Sequence, residues 1–356
     1  MQPLRILALT KYGPLAASTR QRFMQYEPWL TAAGMTLEVS PLLDDDYLRE
    51  RFAGHPITKS RTIRSYLQRI ATLLAADQYD VLWINYELFP YLPGRFDRLV
   101  VPSGVPVVFD IDDAMFHSYD LHRSALVRRA LGRKLEPLVR RSVTALCGNA
   151  YLADWARRWC TDVRVVPTVV DITTYVPGKR VPETLPVIGW IGSPSTFDYV
   201  VPHLPLLERL VADGRARVTV VGSGRAAGRY SGIDHVDWTE AGEIAAIQAM
   251  DVGIMPLPDT PWARGKCGYK LIQYMACGLP VVASPVGVNS EIVGPGVNGL
   301  LAAGPADWAN AFDALLASSE LRRGYGAAGR ERVVRDFSLQ RFGPEVAAAL
   351  QAAARR

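Results

Sequence analysis

Short apolar, β-rich runs alternate with helix-like stretches along most of the chain. LRILALT, LEVSPLL, DVLWINY, VPVVFDI, VTALCGN and VRVVPTVV follow one another, each with helix-like sequence before or between them. This alternation predicts βαβ units on a largely parallel sheet. The Pro- and charge-rich segment YVPGKRVPETLP, Tyr175 to Pro186, breaks the pattern and reads as a linker. Beyond it the alternation restarts with PVIGWIG, RVTVVGSG, HVDW, DVGIMPL, LPVVASPVG and NGLLA. The expectation is two α/β domains in series, 1–176 and 187–339, joined by a linker at 177–186. The Ala-rich segment 340–356 reads as a last helix able to pack back on either domain, the N-terminal one included.

Open α/β sheets bind ligands outside the carboxyl ends of their strands, so two such domains in series predict a cleft between two sheets. The unusual residues sit at those strand ends. KYGPLAASTRQR, with Gly13 and Arg20, follows the first run. In the second domain GWIG leads into SPSTFDY, placing Gly192, Ser193, Ser195 and Thr196 there. RVTVVG leads into SGRAAGR with Gly222, Gly224 and Arg225, and DVGIMPL leads into PDTPWARGKCGYK with Lys266, Cys267, Gly268 and Lys270. Hydroxyls, glycines and cations in such loops fit a phosphate-bearing ligand. Lys266, Lys270 and Gln273 stand at i, i+4 and i+7, which a helix would align on one stripe. Two readings of that stripe stand: a solvated lysine face, or an anion site.

Composition narrows the class. A chain of 356 residues with 49% hydrophobic and 21% charged residues is ordinary for a globular protein of two or three domains. Cys147, Cys160, Cys267 and Cys277 form no C-x-x-C pair, which argues against zinc or a disulfide framework and for a reducing compartment. MQPLRILALTKYG is too short an apolar run for a signal peptide, and no stretch reaches a membrane span, so the expected location is the cytoplasm. The net charge of +5 is unevenly spread. HRSALVRRALGRKLEPLVRR, residues 122–141, carries seven cations and one acid with leucines at helical spacing. It reads either as a basic amphipathic helix lying on an anionic membrane or as a solvated face. A second basic stretch, YLRERFAGHPITKSRTIRSYLQR, precedes it. No nucleic-acid-binding motif accompanies the modest basicity, and no nucleic-acid partner is expected.

Several motifs are excluded. Gly222-Ser223-Gly224 lacks the third glycine of a dinucleotide fingerprint, and neither a Walker loop nor a G-x-S-x-G elbow occurs. Asp110, Asp112 and Asp113 in FDIDDA suggest either a metal site or a strand end with a helix cap; without a further ligand cluster the second is favoured and no metal is expected.

KLIQYMACGLPVVASPVGVNSEIV with the following GVNGLL resembles the donor-binding region of retaining GT-B glycosyltransferases of family 4. ALLASSELRRGYGAAGRERVVRDFSLQRF resembles that family's closing segment. More loosely, GPLAASTRQRFMQYEPWLTAAG, VPVVFDIDDAMF and RVVPTVVD resemble its N-terminal domain. The resemblance implies the GT-B architecture, two Rossmann-like domains with parallel sheets facing an interdomain cleft. It implies a nucleotide-sugar donor held by the C-terminal domain and transfer with retention, without a catalytic metal or other cofactor. A leaving nucleoside diphosphate then needs cations and helix amides, for which Lys266 and Lys270 are placed, with Arg264 and Arg225 as further candidates.

The departures from the family are specific. Its Glu-x7-Glu pair, which contacts the donor sugar and the ribose, becomes Gly265 and Gln273, and its Arg-Lys pair after the first strand of the donor domain becomes Ser193, Ser195 and Thr196. Asp112 takes the position of a histidine that contacts the donor sugar near the reacting centre; a helix-start role is the alternative. Arg20 and Arg22 face the diphosphate or acceptor, or pair with local acids. The implied function is sugar transfer to a glycan or polyprenyl-diphosphate-linked acceptor in cell-surface polysaccharide or glycoconjugate synthesis. A nucleotide-sugar epimerase or hydrolase and a non-catalytic GT-B binding protein are the competing readings.

Overall fold

The computed structural model of the protein describes residues 2–56, 58–178, 185–224 and 230–356. Most of the expected linker, and Arg225, lie outside the described residues. The chain divides into two compact units. The first comprises Met1–Thr168, Arg264–Cys267 and Leu339–Arg356; the second comprises Val169–Ala263 and Gly268–Ser338.

The first unit holds a six-stranded sheet in the order β2-β1-β3-β4-β5-β6, every neighbouring pair parallel. Its strands are β1 (Leu4–Tyr12), β2 (Met35–Leu43), β3 (Val81–Asn85), β4 (Val107–Ile111), β5 (Thr144–Cys147) and β6 (Val163–Val165). Every residue of β3, β4 and β5 is buried, as central strands covered on both faces require. The edge strand β2 alternates in exposure and accommodates Pro41, whose missing N–H would break an interior ladder. The closing helix Leu339–Ala354 packs on the helix Glu27–Ala32 and against β3 and β4. Gly343 permits that approach, since a Cβ there would lie 2.4 Å from the Trp29 ring.

The second unit has the order β12-β11-β10-β7-β8-β9, again all parallel. Its strands are β7 (Val187–Ile191), β8 (Arg217–Val221), β9 (Ile233–Val236), β10 (Val252–Met255), β11 (Val281–Ala283) and β12 (Gly299–Leu301). The chain reverses its direction of travel across the sheet between β7 and β10, the place where open sheets part to admit ligands. Those two strands pair only through Val252 with Ile188 and Gly253 with Gly189. Beyond that the Tyr274 hydroxyl takes over: it accepts the Ile191 N–H at 2.9 Å and donates to the Ile254 carbonyl at 3.4 Å. Gly253 makes room, because a Cβ there would sit 2.3 Å from the Tyr274 ring.

Two sequence expectations fail here. Residues 122–141 are not one amphipathic helix but two short ones, Ala125–Leu131 and Glu136–Arg141. Lys134 between them is buried, 3.0 Å from Asp97 and 3.6 Å from Glu87, so a cation assigned to the surface stabilises the interior. Arg141 is also used internally, donating to the carbonyls of Pro102, Ser103 and Val105. The second failure is the Lys266–Lys270–Gln273 stripe. The helix spans Tyr269–Ala276, and Gly268 before it takes φ 65°, so Lys266 stands outside it. A side chain at Gly268 would also meet Ile292 at 2.3 Å. Among the described residues no helix is long and apolar enough to cross a membrane.

Candidate active site

In the first unit the polar residues gather at the carboxyl ends of β3, β4 and β5. Asp110 and Arg22, both fully buried, form a two-pronged pair of 2.9 and 3.0 Å. Arg22 also donates to the Val166 carbonyl at 2.6 Å, and the Trp83 indole N–H to Asp110 at 3.3 Å. Burial works against the charge on Arg22, but Asp110 outweighs it and holds the guanidinium protonated. With every strong donor committed, this pair is the frame of the site. Arg20 likewise supports its own loop, donating to the carbonyls of Pro14 and Leu15 at 2.7 and 2.9 Å. Gly13 lies against Asp45, where a Cβ would meet the carboxylate at 2.4 Å.

Asp112 follows β4 and receives the Tyr86 hydroxyl. Tyr86 is held at φ 59°, a conformation that costs a non-glycine residue energy and is found where a side chain must be aimed. Burial, and after it the Asp113 carboxylate, push the Asp112 carboxyl up to about 6, against the pull of Arg22 and Tyr86. Asp113 itself pairs with Lys266 at 3.2 Å.

The segment Arg264–Cys267 is built into this unit. Asn149 caps the helix Ala150–Ala156 through its Oδ1 and uses its Nδ2 to donate to the carbonyls of Gly265 and Lys266, both at 3.0 Å. The Cys267 thiol donates to the Asp112 carbonyl at 2.8 Å, and burial keeps it protonated. Glycines allow the fit on both sides. A Cβ on Gly265 would be 2.4 Å from the Ala114 Cβ, and one on Gly148 would be 2.2 Å from the Cys267 sulfur. The absence of a carboxylate at 265 therefore has a steric cause. Cys267 is packed inside, away from any role at a ligand surface.

In the second unit the candidates converge at the end of β7. The Lys270 ammonium stands over the Trp190 ring, 5.6 Å from its centroid, and its stem passes beside Gly192. Ser193, Ser195 and Thr196 follow at once. The Ser193 hydroxyl lies 3.1 Å from that of Ser195 and 3.3 Å from that of Thr196, which in turn accepts the Ser193 N–H at 3.2 Å. Gly222, at φ 82°, comes so close that a Cβ would fall 2.1 Å from the Gly192 carbonyl oxygen, and Gly224, at φ 60°, lies beside Pro194. Close backbone, three hydroxyls and one ammonium make a surface suited to phosphate oxygens.

Gln273 is buried deeper, donating to Glu243 at 2.8 Å and to the Tyr175 hydroxyl at 3.2 Å. Glu243 also accepts the Tyr175 hydroxyl and the Trp238 indole N–H, the latter at 2.7 Å. Sequence reasoning missed Glu243, Trp190 and Trp238. No spacing sets Glu243 apart from an ordinary acid in the first turn of the helix Glu243–Gln248. Among the described residues no group of three or more His, Cys, Asp or Glu could hold a metal ion.

Residues 185–318 match the model described as Glycosyl transferases group 1. This segment is a group 1 glycosyltransferase domain. It contains Gly192, Ser193, Ser195, Thr196, Lys270 and Gln273. The D-inositol 3-phosphate glycosyltransferase of Geodermatophilus obscurus is 30% identical over 222 residues, covering 53% of this chain and 47% of that protein. That of Xylanimonas cellulosilytica is 30% identical over 224 residues, 49% of its length, so the match spans about half of these relatives. Among solved structures, sucrose-phosphate synthase from Thermosynechococcus elongatus aligns over 98% of both chains with a TM-score of 0.72 at 17% identity. The Anabaena protein HepE, in complex with UDP, aligns over 98% of this chain and 100% of its own with a TM-score of 0.70 at 14% identity. The group 1 domain and the N-terminal unit thus have the GT-B fold, two six-stranded parallel sheets with helices on their faces.

Proposed function

We propose that the protein is a glycosyltransferase that moves a hexosyl group from a nucleotide-sugar donor to a glycan or lipid-linked acceptor. The observation that carries this reading is the gathering of Lys270, Gly192 and the Ser193, Ser195 and Thr196 hydroxyls at the end of β7, within a group 1 domain. The fold shared with HepE, whose structures hold UDP and UDP-glucose, supports a uridine nucleotide as the first donor to try.

In this proposal the bond between the anomeric carbon and the diphosphate oxygen breaks as the acceptor oxygen bonds to that carbon. Negative charge grows on the leaving diphosphate, whose freed oxygen takes up the proton that the acceptor hydroxyl gives up. Lys270 neutralises the diphosphate while the hydroxyls and the close backbone at Gly192 and Gly222 hold its oxygens, in place of a metal ion. Asp112 binds a sugar hydroxyl through a carboxylate that Tyr86 aims. Retention and a role in cell-surface polysaccharide or glycoconjugate synthesis are parts of the same proposal and rest on the family resemblance; a cytoplasmic location is proposed with them from the cysteine usage.

A thermal-shift panel of nucleoside diphosphates and nucleotide sugars tests it, because a ligand that binds the native state raises the melting temperature. Stabilisation by one nucleoside diphosphate, with its release from the sugar nucleotide only when acceptor is added, is the expected result. Release without acceptor, or no response to any nucleotide, contradicts the proposal.

A further inference from the structure

The helix Lys59–Leu74 buries one side, where Leu73 and Arg69 lie and Tyr66 and Ile70 pack on the unit's core. The flank next to that side is apolar as well. Ile63, Leu67 and Leu74 share one stripe and are 60, 62 and 79% exposed. Beside it runs the short helix Gly94–Val100, joined to it through the ring contacts Tyr66–Phe89 and Phe89–Phe96 at 5.5 and 5.1 Å. That helix exposes Leu99 at 80%, next to an open apolar hollow of about 540 Å³ lined by Leu92, Pro93, Arg95, Phe96 and Leu99. Isolated exposed leucines are common, but a run of them across two adjacent helices is not.

The exposed charges on the two helices themselves have one sign, while Arg61 is paired with Asp44 and Glu50 of the neighbouring segment. Lys59, Arg64, Arg95 and Arg98 are exposed on the two helices, and their sequences contain one acid, Asp97, which is buried against Lys134. A purely apolar protein patch would match the leucines and leave four cations without counterparts. An anionic lipid surface matches both, taking the apolar side chains among its acyl chains and the cations among its headgroups. We infer that the paired helices Lys59–Leu74 and Gly94–Val100 dock the protein on an anionic membrane, with Ile63, Leu67 and Leu99 entering the acyl region. Residues 122–141 offer one large exposed apolar side chain, Leu126, and are not the docking surface.

Co-sedimentation with vesicles tests this independently of any sugar transfer. The full chain is expected to bind vesicles of phosphatidylglycerol and phosphatidylcholine, and about tenfold more weakly to phosphatidylcholine alone. Leu67→Glu with Leu99→Glu, and separately Arg95→Glu with Arg98→Glu, should each weaken binding about tenfold. All four side chains are exposed, so an unchanged melting temperature confirms folding. Arg123→Glu with Arg128→Glu should leave binding within about twofold. Three outcomes overturn the inference: no preference for the anionic vesicles, binding that survives both double changes, or a self-association of the free protein that Leu67→Glu with Leu99→Glu abolishes. Nucleotide binding should persist in every variant, so failure here and failure of the transferase reading are separable.

Discussion

The Lys270 ammonium lies 5.6 Å from the centre of the Trp190 ring, beside the backbone of Gly192 at the end of β7. A cation held over an aromatic face is fixed in direction. Lys266 stands elsewhere, with Asp113 at 3.2 Å. The two lysines of one sequence stripe therefore have different expected effects. Lys266→Ala should lower nucleoside diphosphate affinity by no more than about threefold, whereas Lys270→Ala should lower it at least about tenfold, or roughly 1.4 kcal/mol. Titration calorimetry distinguishes them, and equal losses would place both at the phosphate.

Asp112 should set a conflict between stability and turnover. Burial, and after it the Asp113 carboxylate, push its carboxyl up to about 6, well above the ordinary carboxylate range, so folding disfavours the ionised form. That cost is absent below the unfolded value, grows as pH rises between the two, and is complete above the folded one. Asp112→Asn removes the charge and keeps an oxygen for the Tyr86 hydroxyl. It should stabilise the protein by up to about 3 kcal/mol at pH 8, with the gain shrinking towards pH 4. Urea unfolding at the two pH values measures this. Turnover should fall more than donor affinity; equal stability at both pH values would refute the assignment of the shift.

Gly265→Glu introduces the carboxylate that the family resemblance leads one to expect at this position, yet it should not bring activity with it. The new Cβ would meet the Ala114 Cβ at 2.4 Å and its backbone nitrogen at 3.1 Å. Overpacking of this kind costs about 1–3 kcal/mol, and the melting temperature should drop accordingly. A stable variant with higher activity would show that the segment Arg264–Cys267 moves aside readily.

Tyr274→Phe probes the parting of β7 and β10. It strips the Ile191 N–H of its partner inside a buried region, a loss of about 1–3 kcal/mol. Chemical denaturation should report it. A neutral effect would mean that Ile191 finds another acceptor.

Much of the fold was legible because parallel strands announce themselves as short apolar runs between helical patterns. β3, β4 and β7 fall where DVLWINY, VPVVFDI and PVIGWIG stand. What escaped was long-range. Lys134 looks like one more cation on a basic stripe until Asp97 and Glu87 arrive from elsewhere in the chain. Helical spacing placed Lys266 beside Lys270 because periodicity is blind to the left-handed turn at Gly268. The hydroxyls of Ser193, Ser195 and Thr196 were found by their place after a strand, but their mutual bonding and the Trp190 support under Lys270 depend on packing. Gly265 read as a lost carboxylate, and only Ala114 explains why no side chain stands there.

In the proposed function, Lys270 and the strand end around Gly192 hold a nucleoside diphosphate. Titration calorimetry of the protein and of Lys270→Ala with UDP, and with the other nucleoside diphosphates in parallel, tests it most directly. Saturable one-to-one binding of one nucleotide to the protein is expected, with a loss of at least about tenfold in the variant at unchanged melting temperature. Binding of equal strength to both, or to neither, would contradict it.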